Sequence, residues 1–321
     1  MSIGAHLLAN DGKQDLFHQA ILESGSVLHA YPTIADAQIV FDKLVIQTGC
    51  QDRNDSVDCL RSAPAEFLLT ATSKDFFSII SDGLYIRYQP TYSLLRGNFS
   101  RIPLLIGTNT DEGTYFTYKT IKTKEQLPKY YLDTVPYISD QERRELLHLY
   151  PSSRYKYPYL AAADVLGDRV FQCPSNLMAR LYANTGTPVY KYRWNHEFTL
   201  GNLFVQGNSS LGVYHFSEVP FVFDIRYMFL TRQEALLGRM MNSMWVQFAV
   251  TGNPNLQQDP YDNIIFWPRY LRSTDYEQVV FQTPISSVSI EEDKLRDHKC
   301  QFWDKVGRGL IFRKTISHVL Y

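Results

Sequence analysis

Two short stretches of this 321-residue chain carry side chains arranged as reaction chemistry would need them. In Ile102-Pro103-Leu104-Leu105-Ile106-Gly107-Thr108-Asn109-Thr110-Asp111-Glu112-Gly113, an apolar strand-like run breaks into a polar turn with two adjacent carboxylates. In Gly212-Val213-Tyr214-His215-Phe216-Ser217-Glu218-Val219-Pro220-Phe221-Val222-Phe223, one histidine stands among polar neighbours ahead of an apolar run. An acid followed at a distance by a histidine is two thirds of a serine–acid–histidine relay. There the carboxylate fixes the imidazole tautomer and stabilises the imidazolium as the histidine takes a proton. The same residues also fit blander roles. Asp111 and Glu112 suit a turn next to Gly113, and His215 is one of eight histidines, suited to a core hydrogen bond. Spacing does not say which of the two carboxylates would face the ring.

The elements that must hold these groups are an alternation of strands and helices. Strand-like runs occur at Phe17–Leu22, Ile102–Ile106, Pro188–Arg193 and Gln278–Phe281. Ser139-x-x-Glu142 is a capping box opening a helix to about Tyr150, ahead of Pro151. Cys173-Pro174 sets proline at a first helical position, with Gly186 closing that helix. Thr231-x-x-Glu234 opens an apolar helix ended by Thr251-Gly252-Asn253-Pro254. Ser289-x-x-Glu292 is expected to open the last long helix, containing Cys300 and Trp303. The pattern predicts an α/β fold with a mostly parallel sheet covered by helices on both faces. Reactive groups in such folds sit in loops at the carboxyl ends of strands, where both candidate loops fall.

Composition excludes several classes. With 22 Tyr, 19 Phe and 4 Trp the chain is too rich in buriable area for disorder. Lys+Arg 32 against Asp+Glu 33 gives no global attraction to nucleic acid. No apolar run approaches a transmembrane span. No C-x2-C or H-E-x-x-H spacing occurs, so no metal is expected. The four cysteines, Cys50, Cys59, Cys173 and Cys300, permit complete pairing or four buried thiols. Sequons at Asn54, Asn98 and Asn208 tilt toward a secretory chain.

Several strings together resemble the type-B carboxylesterase/lipase (cholinesterase-like) family. Leu16-Phe17-His18-Gln19-Ala20-Ile21-Leu22-Glu23-Ser24-Gly25-Ser26 is similar to the strand after the family's nucleophile helix. Leu104 through Gly113 resembles its acid loop, and Gly212-Val213-Tyr214-His215 with Glu218 its histidine loop. Trp245-x-x-Phe248-Ala249-x-Thr251-Gly252-Asn253-Pro254-Asn255, then Trp267-Pro268, resembles its C-terminal helix and loop. The resemblance runs over about the whole chain. It implies catalytic Glu112 and His215, a small-molecule or lipid ester as substrate, and no cofactor. It also implies disulfides Cys50–Cys59 and Cys173–Cys300, hence an extracellular or ER-lumenal location.

Two departures accompany the match. Pro90 is followed by Thr91-Tyr92-Ser93 where the family has Asp-Gly, so Leu84, Tyr85 and Ile86 are weak guides to an acyl pocket. No G-x-S-x-G occurs in the 321 residues, nor the Gly-rich oxyanion segment; Ser24, Ser26 and Ser217 do not replace the nucleophile. The resemblance therefore reads residues 1–321 as a single partial domain, the C-terminal portion of an α/β-hydrolase fold without its N-terminal strands. The expectation is an inactive chain with an exposed parallel edge that folds poorly alone. The alternative is a cholinesterase-like adhesion or interaction protein in which catalysis has been lost.

Overall fold

The computed structural model describes residues 2–27, 31–51, 55–72, 78–135, 138–202, 211–256 and 265–312. Its centre is a five-stranded sheet in the order β1 (Ala20–Glu23), β2 (Leu104–Asn109), β3 (Val189–Trp194), β4 (Glu277–Phe281) and β5 (Ser289–Glu292). The first four strands run parallel and β5 is antiparallel to β4. Helical segments intervene between the parallel strands, as crossover connections require.

β2 is buried along its whole length, and its pleat divides the core. Leu104 and Ile106 join a cluster with Leu7, Leu22, Met178, Tyr182 and Tyr270 on one face. Leu105 joins Tyr192, Trp194, Phe221, Met244, Trp245, Trp267 and Phe281 on the other. Successive side chains on a strand point to opposite faces, so a continuous apolar run serves a sheet covered on both sides. A third cluster, around Tyr150, Tyr159, Val165 and Trp303, contains the Cys173–Cys300 bridge. The Cys50–Cys59 bridge is also formed. β1 occupies one edge of the sheet as described.

The helix Asp140–Leu149 carries its box, with Ser139 Oγ accepting from the Glu142 amide. The helix Arg232–Thr251 opens on the Thr231–Glu234 box and stops at Gly252, whose φ of 73° is cheap for glycine. One sequence expectation is corrected. Ser289–Glu292 is not a helix start but β5, and the last helix is Asp297–Phe312. Its four residues pair with β4 from Val280 back to Glu277, and this pairing overrides the local capping pattern. Cys173-Pro174 opens the helical segment Cys173–Asn184 as expected, with Gly186 just beyond its end, but as the last part of a longer helix. The helix starts at Pro158 and passes through a wide π turn at Asp168–Gln172 into Cys173–Asn184. Proline lacks the amide that a regular turn would use, and the widened turn absorbs that loss.

Candidate functional site

The acid turn leaves the carboxyl end of β2, and the histidine loop packs over it. Parallel register sets Thr108 beside Arg193 and Asn109 beside Trp194, so the turn emerges beside the end of β3. The Thr110 amide then bonds the Trp194 carbonyl at 3.1 Å, and the Asp111 amide bonds the Val213 carbonyl at 3.0 Å. Asp111 Oδ2 accepts from the Val213 amide at 2.9 Å. Two glycines permit close approach, one of the acid turn to the helix Pro158–Gly167 and one of the two loops to each other. A Cβ at Gly113 would lie 2.0 Å from the Ala163 carbonyl oxygen, and one at Gly212 (φ 59°) 2.4 Å from Asp111 Oδ2.

The structure resolves which carboxylate meets the ring. Glu112 Oε2 accepts from His215 Nδ1 at 2.6 Å, because a carboxylate offers only acceptors and Nδ1 must carry the hydrogen. Glu112 is 1% exposed. Its Oε1 accepts from the Ser24 hydroxyl at 2.5 Å and from the Asn109 amide at 2.7 Å. Asp111 instead stitches the two loops together, and burial pushes its carboxyl above the ordinary range against the Val213 bond.

Around this pair lies a polar layer that sequence reasoning did not anticipate. Asn109 Nδ2 donates to the Tyr214 carbonyl at 2.8 Å and to Glu218 Oε2. Trp194 Nε1 donates to Ser217 Oγ at 2.9 Å. Burial, followed by the neighbouring Glu112 charge, raises the Glu218 carboxyl to about 8. Glu23 on β1 accepts from Trp245 Nε1 at 2.8 Å. Ser24 lies 88 positions from Glu112, so no local signal joins them. Their meeting comes from the β1–β2 register, in which Glu23 faces Gly107.

Rings wall the imidazole. Phe216, Phe171 and Phe116 have centroids 3.9, 4.5 and 5.5 Å from the His215 ring. Phe216 holds φ 76°, a left-handed conformation rare for an aromatic residue. Behind the acid turn a cavity of about 150 Å³ is lined by Thr110, Asp111, Glu112, Thr114, Asp168 and Arg296, among others.

The remaining sequence candidates fall elsewhere. Ile86 is a core residue packed with Leu94, Tyr85 OH pairs with His6 Nδ1 at 2.7 Å, and Leu84 is exposed. Asn54 and Asn208 lie outside the described residues. Among the described residues no group of three or more His, Cys, Asp or Glu is placed to hold a metal ion. No described helix is long and apolar enough to cross a membrane.

The chain is matched over residues 1–303 by the model of the carboxylesterase family. It is 26% identical to carboxylesterase 5A of Homo sapiens over 322 residues, covering 92% of this chain and 53% of that protein. It is 30% identical to acetylcholinesterase of Bungarus fasciatus over 334 residues, covering 94% of this chain and 53% of that protein. The chain thus spans about half the length of the curated relatives it matches. The crystal structure of Aspergillus niger EstA aligns with a TM-score of 0.80 at 24% identity, covering 95% of this chain and 62% of that chain. This likeness shows a shared fold.

Proposed function

The chain belongs to the carboxylesterase family, and from that premise we propose that it supplies the acid and the general base of a serine-type carboxylic-ester hydrolase. The observation that carries this reading is the 2.6 Å bond from His215 Nδ1 to the buried Glu112. A carboxylate anchored by Ser24 and the Asn109 amide fixes the tautomer, leaving Nε2 as the proton acceptor. His215 Nε2 would take the proton of a serine hydroxyl as its oxygen attacks the ester carbonyl. It would then give that proton to the departing alcohol oxygen, leaving an acyl-enzyme. In the second half, His215 would take a proton from water as its oxygen attacks the acyl carbonyl, then return that proton to the departing serine oxygen, freeing the carboxylic acid and the serine. Glu112 would hold the imidazolium by charge throughout.

The substrate class is a carboxylic ester, lipid esters included. Residues 1–321 form one partial hydrolase domain in this reading. With no G-x-S-x-G among them, the nucleophile and oxyanion donors come from other residues. The two disulfides support an oxidising compartment, extracellular or ER-lumenal.

The test has two arms. The pure 321-residue chain is expected to leave a nitrophenyl acyl ester intact; turnover abolished by His215→Ala would overturn the inactivity. Combined with a nucleophile-bearing esterase segment, the chain is expected to restore turnover that His215→Ala and Glu112→Gln each remove. Turnover indifferent to both substitutions would sink the assignment. An interaction protein without catalysis is the alternative; it predicts no restoration with any such segment.

A further inference from the structure

We infer that Arg193 is a positioning residue for the Glu112–His215 pair, a strut that ties the acid turn to the sheet's antiparallel edge strand. The inference rests on the acid–base reading of that pair. Arg193 lies near the end of β3, in register with Thr108 on β2 and Val280 on β4. Its guanidinium makes a bidentate fork, with Nε and Nη2 donating to Glu291 Oε1 and Oε2 at 2.7 and 2.8 Å. Glu291 belongs to β5, so this fork reaches across β4. The remaining arm, Nη1, donates to Thr110 Oγ1 at 2.9 Å.

Thr110 is where a strut would act. It sits between Asn109, whose amide donates to Glu112 Oε1, and Asp111, whose backbone and carboxylate both bond Val213 of the histidine loop. Its hydroxyl passes its own hydrogen to Asn195 Oδ1 at 2.8 Å. Its carbonyl faces a second guanidinium, with Arg296 Nη2 at 3.4 Å. The hydroxyl and the carbonyl of this one residue are therefore held by two arginines, one on β3 and one in the turn between β5 and the helix Asp297–Phe312. A fork joining β3 to β5 for stability alone has no use for a third contact on the acid turn. Lysine would not serve, because an ammonium on a flexible stem cannot keep two carboxylate contacts and the threonine contact in one plane.

The test uses the full chain and needs no turnover. A His215 Nδ1 proton shared with a carboxylate resonates far downfield of the amide envelope in the proton spectrum, and its loss in His215→Ala assigns it. The wild type is expected to show this resonance. Arg193→Met and the near-isosteric Thr110→Val are expected to lose it, while Thr110→Ser, which keeps the hydroxyl, retains it. Should Arg193→Met fail to fold, the Thr110→Val and Thr110→Ser pair decides the matter. A wild-type resonance that survives unchanged in folded Thr110→Val and in folded Arg193→Met overturns the strut and leaves the acid–base reading standing. A folded wild type without the resonance overturns that reading itself, and the strut with it.

Discussion

Two regions of this molecule are closed by disulfides, and they are built on opposite principles. Around Cys50–Cys59, with a separation of nine, order is local. Thr33 and Asp36 cap the helix Ile34–Gln47 reciprocally, and Asp55 caps Ser56–Ser62. Little there is buried: Cys50 itself, Val45 in the first helix, and no residue in Ser56–Ser62 or Ala65–Ala71. Around Cys173–Cys300, with a separation of 127, both sulfurs lie in a core cluster with Tyr150 and Trp303. The adjoining ion pairs join Arg296 and Lys299 of the C-terminal segment to Asp164 and Asp168. The first region is held by residues that are neighbours in sequence. The second exists only because distant segments meet, and the candidate site is attached to it through Arg296 and Thr110.

The contrast makes graded predictions. Replacing Cys173 and Cys300 by serine is expected to cost on the order of 4–5 kcal/mol from loop-closure entropy alone. The thermal midpoint should fall by roughly 7 °C; a drop under half of that would weaken the claim that this bridge anchors the core. Ser24→Ala, which leaves Glu112 Oε1 with only the Asn109 amide, should cost about 1.5–3 kcal/mol in denaturant unfolding. Near-wild-type stability would show that the hydroxyl is dispensable.

Glu218 gives a pH test with a definite sign. Its folded carboxyl titrates near 8 against an ordinary 4.5, so between these values the folded state holds a proton that the unfolded state has released. This group's contribution is therefore fully present below pH 4.5 and lost as pH rises through 8. Glu218→Gln is expected to flatten the decline between about pH 5 and pH 8 and to gain on the order of a few kcal/mol at pH 8. Melting curves whose pH slope is unchanged by the substitution would contradict the shift.

The smallest effect belongs to the local bridge. Its short loop formally contributes roughly 2–3 kcal/mol. Because the helices Ser56–Ser62 and Ala65–Ala71 contain no fully buried residue, Cys50→Ala with Cys59→Ala should release them without unfolding the sheet. Amide exchange over 55–71 is expected to accelerate while the global midpoint moves by about 1 °C. A midpoint drop matching that of the long bridge would erase the contrast between the regions.

What was legible in the sequence follows the same division. The four parallel strands, the Ser139 and Thr231 caps and the Gly252 stop were readable because each depends on residues a few positions apart. Ser289-x-x-Glu292 misled for the same reason. Its capping pattern is local, whereas its pairing with β4 is not. The helix from Cys173 was readable from its proline, but its continuity with Pro158–Gly167 depends on a π turn that no short motif marks. The roles proposed for Glu112 and His215 are implied by family resemblance, while Asn109, the second role of Ser24 and the Arg193 strut left no readable spacing.

By itself the sequence determined an α/β chain with an acid turn and a histidine loop at strand ends, and a cysteine set able to pair completely. It could not choose between Asp111 and Glu112, because adjacent carboxylates are equivalent until a backbone turn aims them. Tertiary structure decided that choice. The turn stitched to Val213 directs Asp111 to the loop backbone and Glu112 to the ring, with Ser24 and Asn109 filling its other oxygen. Hydrogen bonds between segments roughly a hundred residues apart fix that geometry, and chain proximity carries no record of them.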